Sequence, residues 1–238
     1  MTGARSRSRY EYKYHLTGIE SQQLLNRLAS FVTRDEYSSQ LAGYRVRSLY
    51  YDTNNLRAYQ GKAEGDYTRI KLRVRTYSLD VQPNTMIKAE LKVRQGTMIT
   101  KHSAGCTYTD FLAFEKTGSW PMRDSNPVLS EFERLVRLYH MKPLVLVDYQ
   151  RIAFKPRDRS NVRLTLDTCV QSASARTIYP ELPYFRSVNR HGVILEIKTP
   201  DSDPPKWLSA IVRMHRLKAG PNSKYLSAIE HTQASISY

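Results

Sequence analysis

Charged or hydrogen-bonding side chains recur at every second position along several segments: Glu11 and Lys13; Lys71, Arg73 and Arg75; Lys88, Glu90, Lys92 and Arg94; Tyr149 and Arg151; Arg163, Thr165 and Asp167; Glu196 and Lys198. A period of two puts each set on one face of an extended strand. In an isolated half-exposed strand that face would meet water. Here the pattern recurs on nearly every strand, and the intervening positions are apolar: Ile70, Leu72 and Val74; Ala89, Leu91 and Val93; Val162, Leu164 and Leu166; Leu195 and Ile197. Those are residues for a face packed under helices. If the strands close into a barrel, the charged face lines its interior. So many cations in a low-dielectric enclosure repel one another unless an anion is bound. Arginine suits such an anion when it is phosphate, because its planar fork donates two parallel hydrogen bonds to the oxygens. Carboxylates on the same wall point to a hard cation, Mg²⁺ or Mn²⁺, bridging to phosphate oxygens.

The elements that must carry these residues are legible from the same alternation. Strands are expected at Tyr10 to Leu16, Tyr44 to Asp52, Tyr67 to Tyr77, Met86 to Arg94, Leu144 to Phe154, Asn161 to Asp167 and Val193 to Lys198, with turn-rich connections such as Pro156 to Ser160. Thr17 with Glu20 forms a capping-box signature for a helix running to about Phe31, with Ile19, Leu24, Leu28 and Phe31 near one face. Helices are expected at about 127–140 and at 204–217, the second opening with Asp203 as N-cap and Pro204 in the first turn. The sum is a mostly antiparallel, strand-rich α+β domain spanning residues 9–238, after a short basic disordered tail at 1–8.

The 238 residues carry 37 Lys and Arg against 22 Asp and Glu, a formal charge of +15 that implies a polyanionic partner without choosing among nucleic acid, phosphate chains and anionic lipid. No apolar run reaches the ~20 residues of a membrane span, and the opening MTGARSRSR lacks the apolar core of a secretory signal. A soluble cytoplasmic protein is the expectation. Cys106 and Cys169 have no metal-type spacing and the six histidines are scattered, so neither set carries the chemistry.

The segments RYEYKYHL, VRSLYYDT, KLRVRTY, AELK, the TK at 100–101, DYQRIAF, VRLTLDT, LEIK and SKY run in order from about residue 9 to 225. Together they resemble the VTC domain, the vacuolar transporter chaperone branch of the triphosphate tunnel metalloenzymes. The resemblance implies a closed, eight-stranded antiparallel tunnel with helices outside, a divalent metal, and elongation of polyphosphate from ATP or another nucleoside triphosphate. Inorganic triphosphate and pyrophosphate are further ligands it implies, and a membrane protein is a possible partner. By position, Lys13, Arg73, Arg75, Lys92, Arg151 and Arg163 match the tunnel's phosphate-binding cations. Tyr149 matches the neighbouring tyrosine, Ser223 and Lys224 match the last phosphate contacts, and Glu196 matches the metal carboxylate. Lys101 and Lys198 are further phosphate contacts, and Glu11 and Glu90 either share the metal or orient arginines. Pro221 stands where the family often has a further lysine, a contact that Lys218 could supply, and Ser78 replaces a common Gly.

Residue patterns alone leave other readings open. Arg73 and Arg75 also fit a solvated strand face, Glu196 an ion pair with Lys198, and Asp167 a turn-starting residue at a strand end. Tyr50, Tyr51 and Asp52 are read as packing mixed with a hydrogen bond, without chemistry. The same constellation serves a polymerase or, with water as acceptor, a triphosphatase. A non-catalytic polyphosphate sensor would have little use for buried acids. Nucleic acid is disfavoured, because no RNP-like run, helix-turn-helix or zinc finger is present and the basic residues alternate on strands.

Overall fold

The structure is a computed structural model that describes residues 10–38, 42–96, 98–158, 160–188, 192–200 and 202–233. The basic segment 1–8, expected as a tail, lies outside them. The strands are β1 (Tyr10–Thr17), β2 (Val32–Arg34), β3 (Tyr44–Asp52), β4 (Thr68–Thr76), β5 (Met86–Gln95), β6 (Met98–Thr107), β7 (Lys142–Pro156), β8 (Arg163–Ser174), β9 (Arg186–Ser187) and β10 (Gly192–Thr199). The helices are α1 (Gly18–Leu28), α2 (Arg57–Ala63), α3 (Tyr108–Thr117), α4 (Pro127–Leu138), α5 (Lys206–Met214) and α6 (Lys224–Gln233). Among the described residues the strands form one ten-stranded sheet with eight in line, β1-β10-β8-β7-β3-β4-β5-β6, while β2 pairs with β7 and β9 with β8. The pairings β1–β10, β10–β8, β3–β4, β4–β5 and β5–β6 are antiparallel.

Contacts group the chain into two compact units, each assembled from three separated segments. The first comprises Met1–Arg45, Tyr149–Val170 and Asn189–Ser223. Its core gathers Tyr14, Leu16, Leu24, Leu28, Leu164, Leu166, Leu195, Ile197, Leu208 and Ile211, so the apolar faces of β1, β8 and β10 pack under α1 and α5. Helix α1 starts where expected: the Thr17 hydroxyl accepts from Glu20 N–H at 3.2 Å and Glu20 returns to Thr17 N–H at 2.7 Å. It ends at Leu28 rather than Phe31, because the chain must turn back to pair β2 with residues 154–156 of β7. Ile19, expected on the apolar face with Leu24 and Leu28, is exposed, and Phe31, beyond the helix, stacks on Trp207 at 5.2 Å. Helix α5 begins after Pro205, with no cap from Asp203. The Pro-Pro pair is the cause, since a residue before proline is driven out of the helical region.

The second unit comprises Val46–Asp148, Gln171–Val188 and Lys224–Tyr238. Leu49, Leu72, Val74, Ile87, Ala89 and Leu91 on β3 to β5 pack against Phe111, Phe114, Trp120, Leu129, Phe132 and Leu135. Trp120 stacks on Phe114 at 4.2 Å and meets Phe132 edge-on at 5.9 Å. Asn126 caps α4, accepting from Val128 and Leu129 N–H at 3.1 and 3.3 Å, with Pro127 at the first turn. Helix α3 has its own capping box between Thr107 and Asp110. Strand β6, absent from the expected set, carries Lys101.

The apolar halves of the alternating pattern are therefore buried as expected. Their charged halves occupy the opposite faces.

Candidate functional site: two charged faces

In the first unit, β1, β10 and β8 align their charged residues in rows. Lys13 stands opposite Glu196 and Glu196 opposite Thr165, while Glu11 stands opposite Lys198 and Lys198 opposite Arg163. Cross-strand partners share a face, so these side chains form one surface. Glu196 is buried, its Oε1 2.7 Å from Lys198 Nζ and its Oε2 4.0 Å from Arg151. Lys13 Nζ lies 2.8 Å from Glu11 and donates to the Asn222 carbonyl at 3.0 Å, while the Lys13 carbonyl accepts from Gly220 N–H at 2.9 Å. These contacts lay the segment before Ser223 along β1. The Tyr149 ring lies under the Arg151 guanidinium, at 5.2 Å.

Arg151 makes a bidentate pair with Asp167, Nε and NH2 reaching the two oxygens at 2.6 and 2.7 Å. Asp167 is fully buried within β8 and begins no turn. The strand runs on past it to Ser174, through Cys169 at a φ of 52°. Burial disfavours the charged form of Arg151, but Tyr149, Asp167 and Glu196 outweigh it and raise its pKa. Arg163 is the outlier of this group: its guanidinium turns to Asp35, 3.5 Å away, and is about half exposed (49%).

In the second unit, Arg73 Nε donates to Glu90 Oε2 at 2.6 Å and its NH1 donates to the Tyr50 hydroxyl at 2.9 Å. Lys101 Nζ takes the other Glu90 oxygen at 2.6 Å. Burial would raise the pKa of Glu90, but the charges of Arg73, Arg75 and Lys101 hold it well below the carboxylate range. Arg75 is buried and donates to the Ser48 hydroxyl at 2.9 Å. Lys92 sits between Lys71 and Lys101 in the register. Lys224 opens α6, and its charge joins those of Arg73 and Arg75 in outweighing burial to lower the pKa of Tyr50.

The carboxylates differ in their fitness for a metal. Among the described residues no three His, Cys, Asp or Glu side chains gather as a cage. Octahedral Mg²⁺-type ions commonly use one or two carboxylates and take their remaining oxygens from phosphates and water. Glu196 fits that demand, because the Thr165 hydroxyl beside it in the row is buried and makes no hydrogen bond. Glu11 belongs to the same surface. In Glu90 both oxygens are engaged by cations, so its geometry is that of an arginine-orienting group.

Several participants had no signal in the alternating pattern. Tyr50, read as packing mixed with a hydrogen bond, has a hydroxyl that accepts from Arg73. Asp52 is fully buried; it accepts from Thr53, Ala58 and Tyr59 N–H groups, which caps α2, and from the Tyr225 hydroxyl. The Tyr225 ring lies 5.3 Å from that of Tyr50 and 5.2 Å from Lys71 Nζ.

The same arrangement of strands recurs in a solved structure of a Bacillus halodurans protein described as a candidate adenylate cyclase. The TM-score is 0.56 at 12% identity, covering 92% of this chain and 95% of that one. At that identity the likeness concerns the fold alone, an antiparallel sheet with helices. By sequence, the chain is 25% identical over 224 residues to vacuolar transporter chaperone complex subunit 4 of Schizosaccharomyces pombe. That match covers 77% of this chain but only 31% of the relative, so the chain spans about a third of the relative's length. The VTC-domain family model matches residues 8–233, a span that takes in every charged row described above, and the chain belongs to the VTC domain family.

Proposed function

We propose that residues 9–238 act as one catalytic module, a metal-dependent polyphosphate polymerase that transfers the terminal phosphate of ATP to a growing polyphosphate chain. The observation that carries the reading is the face shared by β4, β5 and β6. Arg73, Arg75, Lys88, Lys92 and Lys101 lie on it against the carboxylate of Glu90, and like charges stand directly opposite one another. Such pairs are destabilising in an empty protein, and a polyanion relieves them.

Phosphoryl transfer asks mainly for positioning and charge stabilisation. An oxygen of the acceptor's terminal phosphate forms a bond to the γ-phosphorus of ATP, the bond from that phosphorus to the β,γ-bridging oxygen breaks, and ADP leaves with the bond's electrons. Arg73 and Arg75 are suited to hold the transferred group, since Glu90, Tyr50 and Ser48 fix their guanidinium planes. Arg151, fixed by Asp167, and Lys13 and Lys198 serve as further phosphate contacts, with Lys92, Lys101, Arg163, Ser223 and Lys224. Glu196 and Glu11 are the carboxylates for Mg²⁺ or Mn²⁺, which when bound would offset charge on the phosphate oxygens. Among the described residues no helix is long and apolar enough to cross a membrane. The module is proposed to work in the cytoplasm beside a membrane-protein partner; the relative's name makes that protein a subunit of a complex.

The test is incubation with ATP and Mn²⁺, with products followed by gel electrophoresis and phosphorus NMR. Phosphate chains longer than a triphosphate support the polymerase. Release of inorganic phosphate alone assigns a triphosphatase, and tight polyphosphate binding without turnover assigns a sensor.

A further inference from the structure

The register of β4, β5 and β6 carries the cationic face beyond the residues assigned so far. Along one face the rows read Arg75 opposite Lys88, then Arg73 opposite Glu90, then Lys71 opposite Lys92 and Lys92 opposite Lys101, and finally Arg69 opposite Arg94. Only the second row contains an acid. Successive rows are two residues apart, about 7 Å along the strand, so Arg69 lies roughly 13 Å beyond Arg73. A triphosphate has only two P–O–P links between its outer phosphorus atoms and is shorter than that. One held at Arg73 and Arg75 would leave the last row unused.

Like charges directly opposite on adjacent strands are unfavourable, and here two consecutive rows consist of nothing else on β4 and β5. Chain direction gives no reason for it: Arg69 and Arg94 sit where any polar residue would serve a solvated strand end. Arg94 donates Nε to the Gly96 carbonyl at 2.7 Å, which fixes its plane and leaves its terminal nitrogens available. The side chains in these two rows are Arg69, Arg94 and Ile99 with Lys71, Lys92 and Lys101. Single-stranded nucleic acid is gripped by stacking successive bases on aromatic side chains. The ring beside Lys71, Tyr225, is buried and offers no face to a base, and exposed Tyr67 beside Gly96 is a single ring. Rows of opposed cations with one open ring beside them fit a ligand that is itself only repeated charge.

We infer that Arg69 and Arg94, together with Lys71, form an additional anion-binding step that engages a long linear polyphosphate and not a triphosphate. The inference rests on the polyphosphate reading above and adds to it a preference for chain length. It places the step at the end of β4 where the strand begins and β5 ends.

The test compares wild type with R69Q/R94Q as full chains, measuring binding of tripolyphosphate, long-chain inorganic polyphosphate and a single-stranded oligonucleotide across a salt series. Long-chain affinity is expected to fall at least about tenfold in the variant. The slope of log affinity against log salt is expected to shrink by about 1.5, two lost contacts at roughly 0.7 each. Tripolyphosphate affinity stays within about twofold, and the shared melting temperature shows that both proteins are folded. An unchanged long-chain affinity, or an equal loss for tripolyphosphate, overturns the step. An equal loss for the oligonucleotide overturns its assignment to polyphosphate. Absence of tripolyphosphate and polyphosphate binding in the wild type overturns the proposed function and this inference with it.

Discussion

The Tyr225 hydroxyl donates a hydrogen bond to the carboxylate of Asp52, 173 positions earlier in the chain. Both residues are buried. Burial and then the Asp52 charge push the pKa of the phenol far up, so it remains a donor at any ordinary pH. The contact ties α6, whose first residue is Lys224, to the end of β3. Tyr225→Phe keeps the ring against Tyr50 but removes the donor. Thermal and urea denaturation should show a loss of about 1.5 to 3 kcal/mol, the range for a hydrogen bond to a charged group. Asp52→Ala should cost more, because the N–H groups of Ala58 and Tyr59 lose their cap as well.

Arg75→Ala and Arg73→Ala should both weaken tripolyphosphate binding, by roughly ten- to a hundredfold for a charge-assisted contact. Their stabilities should differ. Arg75 gives up its contact with the Ser48 hydroxyl and part of the charge around Glu90, whereas Arg73 gives up the direct 2.6 Å pair with buried Glu90, which Arg75 and Lys101 are left to balance. Calorimetric titration with parallel melting curves separates the two, and unchanged binding in both variants would mean that this strand face is only solvated.

Glu196→Gln should separate binding from turnover. The amide keeps the shape of the side chain but removes the negative charge that a hard divalent cation requires. Mn²⁺-dependent turnover is expected to fall sharply, while metal-free nucleotide affinity persists or tightens. A variant with wild-type activity across a Mn²⁺ titration removes Glu196 from the site.

Glu90 predicts an acid limb of stability. Its folded pKa lies below the ordinary carboxylate range, so at neutral pH the unfolded chain binds no more protons than the folded one and the ion pairs with Arg73 and Lys101 contribute fully. Below about pH 4.3, the unfolded value, the unfolded state takes up the proton first and the contribution declines as pH falls further. The difference in unfolding free energy between wild type and Glu90→Gln should therefore be flat from pH 8 to 5 and shrink below pH 4. A difference that grows on acidification contradicts the assignment.

Much of this arrangement is legible in the sequence because the charged and apolar positions on β4, β5, β8 and β10 alternate strictly, and one buried face fixes the phase of the other. Arg73, Arg75, Glu90 and Glu196 are read correctly as sharing a face with their strand neighbours for that reason. Strand β6 escapes because Ser103, Ala104 and Gly105 break the enrichment in β-branched and aromatic residues that marks a strand. Asp167 escapes because Thr168 stands where the apolar alternation of Val162, Leu164 and Leu166 would continue, so the strand reads as ended. Leu56 at a φ of 52° likewise conceals the start of α2, which has no local cap of its own and borrows Asp52. No local pattern can report Tyr225, whose partner lies in another segment altogether.

That partnership also bears on how the protein is made. The second unit begins with the β3 segment near residue 46 and needs Tyr225 from its last segment. During synthesis, which runs N-terminal first at about 5 to 20 residues per second, the Asp52 carboxylate waits for roughly 170 further residues before its phenol partner exists, on the order of ten seconds or more. Strands β4 to β6, whose cations stand opposite one another in the folded protein, are made within that interval. The chain therefore carries those like charges before its last segment exists to complete the unit. A polyanion, the ligand class proposed for the finished protein, is also the kind of molecule that would offset them while the unit is incomplete.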